Sequence, residues 1–165
     1  MRAWLVAGAV IEGPAGLLLV QNRRRDGRTD WSTPGGVVDD HEELLDGLHR
    51  EVNEETGLVV TGWHPEPLYR IDAVAPDLDW HLRVEVHRAT GADGDIVLED
   101  PDGIVVDARW VAESDCADHL ARSPRWVREP LQAWLDERWT GDRTFRYRIL
   151  GTELGSLRVE TVDED

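Results

Sequence analysis

Apolar positions along the chain alternate with polar ones in short runs, and glycine and proline separate the runs. Residues 3–11 and 17–22 are rich in valine, leucine and alanine and flank Gly13-Pro14-Ala15-Gly16. That pattern predicts two strands joined as a hairpin in the core sheet. Residues 59–64, 68–74, 82–89 and 104–111 read as further strands, with breaks at Asp93-Gly94-Asp95 and Asp100-Pro101-Asp102-Gly103. The spacing changes to a helical one in two places. Residues 126–139 place Val127, Leu131, Trp134 and Leu135 on one side, with Pro130 implying a helix start near Glu129 or a kink. Residues 144–162 alternate again and predict a terminal hairpin that turns within 151–155. A mixed sheet between helices accommodates these elements.

The other helical stretch, residues 40–56, carries the chemistry. Asp40 and Glu43 have the spacing of a capping box, acids cluster in the first turn, and Gly57 supplies a stop. Leu44, Leu45, Leu48 and Val52 fall within an arc of about 100° and form the face to be buried. Glu51, Glu54 and Glu55 share another arc of about 100°. Three carboxylates this close repel one another, and only Arg50 is near enough to offset them. Cations among the oxygens would relieve the repulsion. Mg²⁺ suits such a site because it takes oxygen ligands and keeps waters for exchange with phosphate. Gly47, one turn before Glu51, either bares the surface for a ligand or is a weak spot costing about 1 kcal/mol against alanine.

Residues 36–58 read GVVDDHEELLDGLHREVNEETGL, and this stretch resembles the Nudix box, G-x5-E-x7-R-E-U-x-E-E-x-G-U, with U a bulky apolar residue. Gly36, Glu42, Arg50, Glu51, Val52, Glu54, Glu55, Gly57 and Leu58 fill its fixed positions, and Trp31-Ser32-Thr33-Pro34-Gly35 is similar to the family's approach to the box. The resemblance implies an α/β fold, the Nudix α/β/α sandwich with a mixed β-sheet between helices. It implies a Mg²⁺-dependent hydrolase, with Mn²⁺ as the alternative ion, that cleaves a diphosphate bond in a nucleoside diphosphate linked to another group. Glu51, Glu54 and Glu55 then form the metal site together with the Gly35 carbonyl. Arg50 orients the glutamates by charge-assisted hydrogen bonds, and Glu42 braces the loop beside them. The general base is a box glutamate, with Glu51 favoured, or a distal acid among Glu99, Asp100 and Asp102; Gly103 stands about where many relatives carry a glutamate. The other reading is a nucleotide-binding or sensing module that keeps the fold without turnover. The resemblance also suggests a homodimer, with the terminal hairpin as its contact.

Composition narrows the partners. The 165 residues suit one domain, 1–165, with the hairpin as an extension and Asp163-Glu164-Asp165 as a frayed tail. A net charge of −16 opposes association with nucleic acid polymers or anionic membranes and leaves a small nucleotide as the expected partner. The apolar run within residues 1–20 is interrupted by Glu12, Gly13 and Pro14, so it does not read as a secretory signal, and no run reaches a membrane-spanning length. A cytoplasmic enzyme is the expectation. Cys116, the single cysteine, lies between Asp115 and Asp118 and reads as structural. All 18 basic residues are arginine, and Arg23, Arg24, Arg25 and Arg28 cluster on one loop, either as a phosphate clamp or as a solubilising segment. Trp31 and Tyr69 are candidates for stacking a base, as are Trp63 and Trp80, although aromatic residues in strands usually serve the core. His81 and His87 read as half-buried surface residues. The motif residues that would separate ADP-sugar from dinucleoside-polyphosphate cleavage are absent at the expected places.

Overall fold

The computed structural model, described over residues 1–163, divides its strands between two sheets. In chain order the elements are β1 (Arg2–Val10), β2 (Glu12–Gly13), β3 (Gly16–Arg23), β4 (Thr29–Ser32), β5 (Gly35–Val37), α1 (Leu44–Thr56), β6 (Val59–Trp63), β7 (Tyr69–Ala75), β8 (Trp80–Asp93), β9 (Val105–Val111), α2 (Cys116–His119), α3 (Arg125–Glu137), β10 (Thr144–Leu150) and β11 (Arg158–Thr161). The larger sheet has the order β11-β10-β7-β8-β1-β5, with β6 also on β8; the smaller has β2-β3-β4, with β9 also on β3.

The expected hairpin of 3–11 and 17–22 is therefore corrected. Only its tip pairs, with Gly13 opposite Gly16, and the two long arms enter different sheets. β1 runs parallel to β8, from Arg2 opposite Trp80 to Val10 opposite Arg88, while β3 lies antiparallel to β4 and β9. β8 outruns its expected bounds because it pairs with β7, β1 and β6 along its 14 residues. The terminal hairpin forms as β10 and β11, and β10 also runs parallel to β7, so this segment is the edge of the main sheet.

Alternation in β1 and β3 decides which helix covers which face. Ala7, Ala9, Ile11 and Leu18 meet Leu48 and Val52 of α1, both fully buried, with Leu44 and Leu45 packed alongside. Val10, Leu17 and Leu19 point the other way, toward Leu131, Trp134 and Leu135 of α3. Each buried leucine or isoleucine contributes about 1.5–3 kcal/mol. The sheets thus lie between α1 and α3, the mixed α/β sandwich that the resemblance implies. α3 starts at Arg125 directly after Pro124 and continues through Pro130, which is buried; the helix does not wait for Glu129. No helix among the described residues is long and apolar enough to cross a membrane. Of the acidic end read as a frayed tail, Glu164 and Asp165 lie outside the described residues.

Candidate active site

The site is built where β5 enters α1, and three glycines make it possible. A Cβ on Gly35 would lie 1.9 Å from the Ala7 carbonyl oxygen, so only glycine lets β5 pair with β1 there. The Gly35 N–H then donates to Glu55 Oε2 at 3.0 Å. A Cβ on Gly36 would lie 2.7 Å from the Glu51 carboxyl carbon, so Glu51 rests over bare backbone. A Cβ on Gly47 would lie 2.7 Å from Glu42 Oε1. Gly47 therefore clears a path for a side chain of the protein itself, which is neither of the two readings given to that glycine.

Arg50 sits at the centre. Its Nη2 donates to Glu42 Oε1 at 2.8 Å, and its Nη1 reaches Glu51 Oε1 at 3.3 Å and Glu54 Oε2 at 3.2 Å. Glu42 also accepts the Asp39 N–H at 3.2 Å, which ties the approach loop to the helix. The Arg50 bond and the Asp39 N–H hold the Glu42 carboxyl below the usual carboxylate range. The helix begins at Leu44, and Glu43 at the cap makes no side-chain bond. The expected Asp40/Glu43 capping box is thus corrected: residues 39–42 form a turn whose acid is spent on Arg50. Gly57 closes the helix in the left-handed conformation, as expected.

One guanidinium cannot neutralise this cluster. Glu55 is 8% exposed, and burial, opposed by the Gly35 N–H and reinforced by Glu51, Asp100 and Glu54, pushes its carboxyl up to about 8. Burial likewise raises Glu51, and Glu54 and Asp102 add to the effect while Arg50 opposes it. Desolvated acids in this condition are relieved by a proton or by a nearby cation. Among the described residues no three acids or histidines are already gathered into a ligand shell. The donor set is nonetheless all oxygen and anionic, with Glu51 and Glu54 bound to one arginine, and it fits a hard divalent ion.

The distal acids separate in the structure. Asp100 accepts the backbone N–H groups of Asp102, Ile104 and Val105 at 3.2, 3.0 and 2.9 Å, so its carboxylate shapes the turn. Asp102 and Glu99 are exposed, and Asp102 is near enough to act on Glu51.

The expected substrate residues divide as well. Tyr69 is 2% exposed and packs edge-to-face on Trp139 and Phe145, so its candidacy for stacking a base is corrected. His87 is buried rather than half-buried. Arg24 is engaged bidentately by Asp30 at 2.7 Å, and Arg28 by Asp26 at 2.6 Å. Arg23 and Arg25 are exposed and make no ion pair among the described residues. Trp31 does line a cavity of about 330 Å³ with Gln21, Asp118, His119 and Arg122. Its ring meets His119 edge-to-face at 5.2 Å, and its carbonyl accepts the Ser123 hydroxyl. The 116–123 segment was not legible as the wall of a cavity, because its short turns have no periodicity.

Comparison with known proteins identifies the family and the fold. The NUDIX domain model matches residues 3–134. The fold is similar to the Escherichia coli ORF135 protein (TM-score 0.67, 20% identity, 86% of this chain and 96% of that one). It is also similar to the MutT protein of Bacillus halodurans (TM-score 0.64, 21% identity, 95% and 97%). Human NUDT18, named an 8-oxo-dGDP phosphatase, is 35% identical over 75 residues; the match covers 46% of this chain and 22% of that protein. The buried carboxylates, the glycines that admit them and the family model across residues 3–134 lead to one assignment: the chain belongs to the Nudix hydrolase family.

Proposed function

We propose that this protein is a divalent-metal-dependent pyrophosphohydrolase that cleaves the diphosphate of a nucleoside diphosphate linked to a further group. The observation that carries the reading is the α1 cluster, in which Glu51 and Glu55 are desolvated and Glu51 and Glu54 share one arginine. Glu51, Glu54 and Glu55, with the Gly35 carbonyl, would hold Mg²⁺ or Mn²⁺. The bound ion supplies charge neutralisation of the diphosphate and a more acidic water.

The protein's own residues do the rest. Arg50 holds Glu51 and Glu54 in a common orientation, and Glu42 holds Arg50. Glu51 accepts a proton from the attacking water, a role its raised carboxyl suits. The water oxygen bonds to phosphorus, the bridging P–O bond breaks, and the products are a nucleotide and a phosphorylated remainder. Asp100 is spent on its turn, which favours Glu51 over that distal acid.

A Mg²⁺-dependent hydrolysis screen with product masses tests the reading. The panel spans nucleoside di- and triphosphates, their 8-oxo-guanine forms, ADP-ribose, NADH, nucleotide sugars and dinucleoside polyphosphates. The 8-oxo compounds are included because the human relative is named for one. One preferred substrate, cleaved between phosphates only with metal, is the expected result. Tight nucleotide binding without turnover of any member would replace the hydrolase with a binding module.

A further inference from the structure

β1 runs from Arg2 to Val10, but β5 covers only part of its outer edge, opposite Val6, Ala7 and Gly8. The last contact beyond these is the Val38 N–H, which donates to the Leu5 carbonyl at 2.9 Å. Backbone direction alternates along a strand, so the N–H and C=O of Ala3 point the same way as that carbonyl, away from β8. Among the described residues neither has a partner. A free strand edge of this kind accepts another strand.

The surroundings suit one. A cavity of about 670 Å³ lies along the edge, with Leu5, Val37 and Leu44 in its apolar lining and Asp39 and Asp40 beside them. Val37 is 50% exposed, and Met1 at the start of the edge is 66% exposed. Arg2 and Asp40 are exposed and make no ion pair among the described residues; the Arg2 guanidinium lies 4.9 Å from the centre of the Trp4 ring. The sheet's other edge differs. On β11 the Val159 carbonyl already accepts the Arg125 guanidinium, so that edge is partly capped.

We propose that a second copy of this chain occupies the groove, its Arg2-Ala3-Trp4 segment pairing antiparallel with the same segment about a two-fold axis at Ala3. Charge selects this occupant. The pairing sets Arg2 of either copy opposite Trp4 of the other, next to Leu5, where Val38 leads into Asp39 and Asp40. The cation thus meets an indole and two acids, and does so twice, as an isologous contact requires. The dimer contact moves from the terminal hairpin to the start of β1. Arg2, Ala3 and Asp40 lie outside the carboxylate site, so this interface and the hydrolase reading are tested separately.

Sedimentation velocity from about 1 μM to about 1 mM measures the association. Wild type should dimerise within that range. Arg2→Glu faces the acids at both ends of the contact and should weaken the dimer about 100-fold or more. Arg2→Glu combined with Asp40→Arg should recover it. Cysteine cross-linking gives a second measurement. A hydrogen-bonded antiparallel pair sets its Cα atoms about 5.5 Å apart, within reach of a disulfide. Ala3→Cys should therefore yield a covalent dimer when oxidised with diamide, while Leu154→Cys should not; Cys116 is buried and takes no part. A wild type that stays monomeric at about 1 mM overturns the proposal. So does a dimer that Arg2→Glu leaves intact, or one that cross-links through Leu154→Cys rather than Ala3→Cys.

Discussion

α1 and α3 have the same length, 13 residues each, the same amphipathic plan and one helix-weakening residue apiece, Gly47 and Pro130. They differ in how their charges are settled. On and beside α3, Glu129 has Arg125, Glu137 has Arg143, and Asp136 accepts the Gln132 amide. Arg138, just past its end, is shared by Glu12 and Glu113. In α1, Arg50 must serve Glu42, Glu51 and Glu54, and among the described residues buried Glu55 has only the Gly35 N–H. A helix that needs only to cover a core balances its surface locally, as α3 does. α1 retains repulsion and burial that cost stability, and such a cost persists where a bound ion offsets it. The weakening residues differ in the same way. Pro130 is buried in the core layer, whereas Gly47 makes room for the carboxylate that positions Arg50.

The contrast is broken most severely at Glu51. On the proposed mechanism Glu51→Gln removes the proton acceptor and should lower kcat by about 10²–10⁴-fold in steady-state kinetics, with little change in melting temperature. The next largest effect is expected for Gly36→Ala. The new methyl meets the Glu51 carboxyl, a movable group, so turnover should fall about 100-fold while circular dichroism stays native. Gly47→Ala gains about 1 kcal/mol of helix propensity but displaces Glu42 from Arg50. A roughly tenfold loss in kcat/KM with an unchanged or slightly raised melting temperature would bear this out. The same kind of substitution on α3, Ala133→Gly, should reduce stability and leave kcat alone.

The smallest effect concerns pH. Below about 4.5, Glu55 is protonated in both folded and unfolded chains and contributes nothing. Between about 4.5 and about 8 the unfolded chain has released that proton while the folded one still holds it, so the metal-free protein loses stability as pH rises. Glu55→Gln should therefore melt about 3 °C or more above metal-free wild type at pH 8, and Mg²⁺ should raise the wild type more than the variant. Scanning calorimetry with and without the ion checks both statements.

The box was legible because its signal is local. Helical spacing places Leu48, Val52 and the glutamates, and Gly57 marks the end. Gly35 and Gly36 stand out as glycines, but the reasons they must be glycine, Ala7 and the Glu51 carboxyl, come only with the fold. The division of β1 and β3 between sheets was not legible. It depends on β1 pairing in parallel with β8, some 78 positions away in register, and alternation within a strand carries no record of its partner. Tyr69 shows the same limit from another side. A tyrosine in an alternating strand faces a base or a core according to what the chain brings against it, and here Trp139 and Phe145 arrive. The cavity beside Trp31 depends on α2 and the turn after it, which no periodicity announces.

The central claim is that the unbalanced acids of α1 are a metal site serving hydrolysis. Its most direct test is the Mg²⁺ dependence of hydrolysis of the preferred nucleotide, in wild type and Glu54→Gln side by side. The account predicts saturable activation by Mg²⁺ in wild type and a loss of about 100-fold or more in the variant at every ion concentration. Equal turnover by the two proteins, or turnover by wild type in excess chelator, would contradict it.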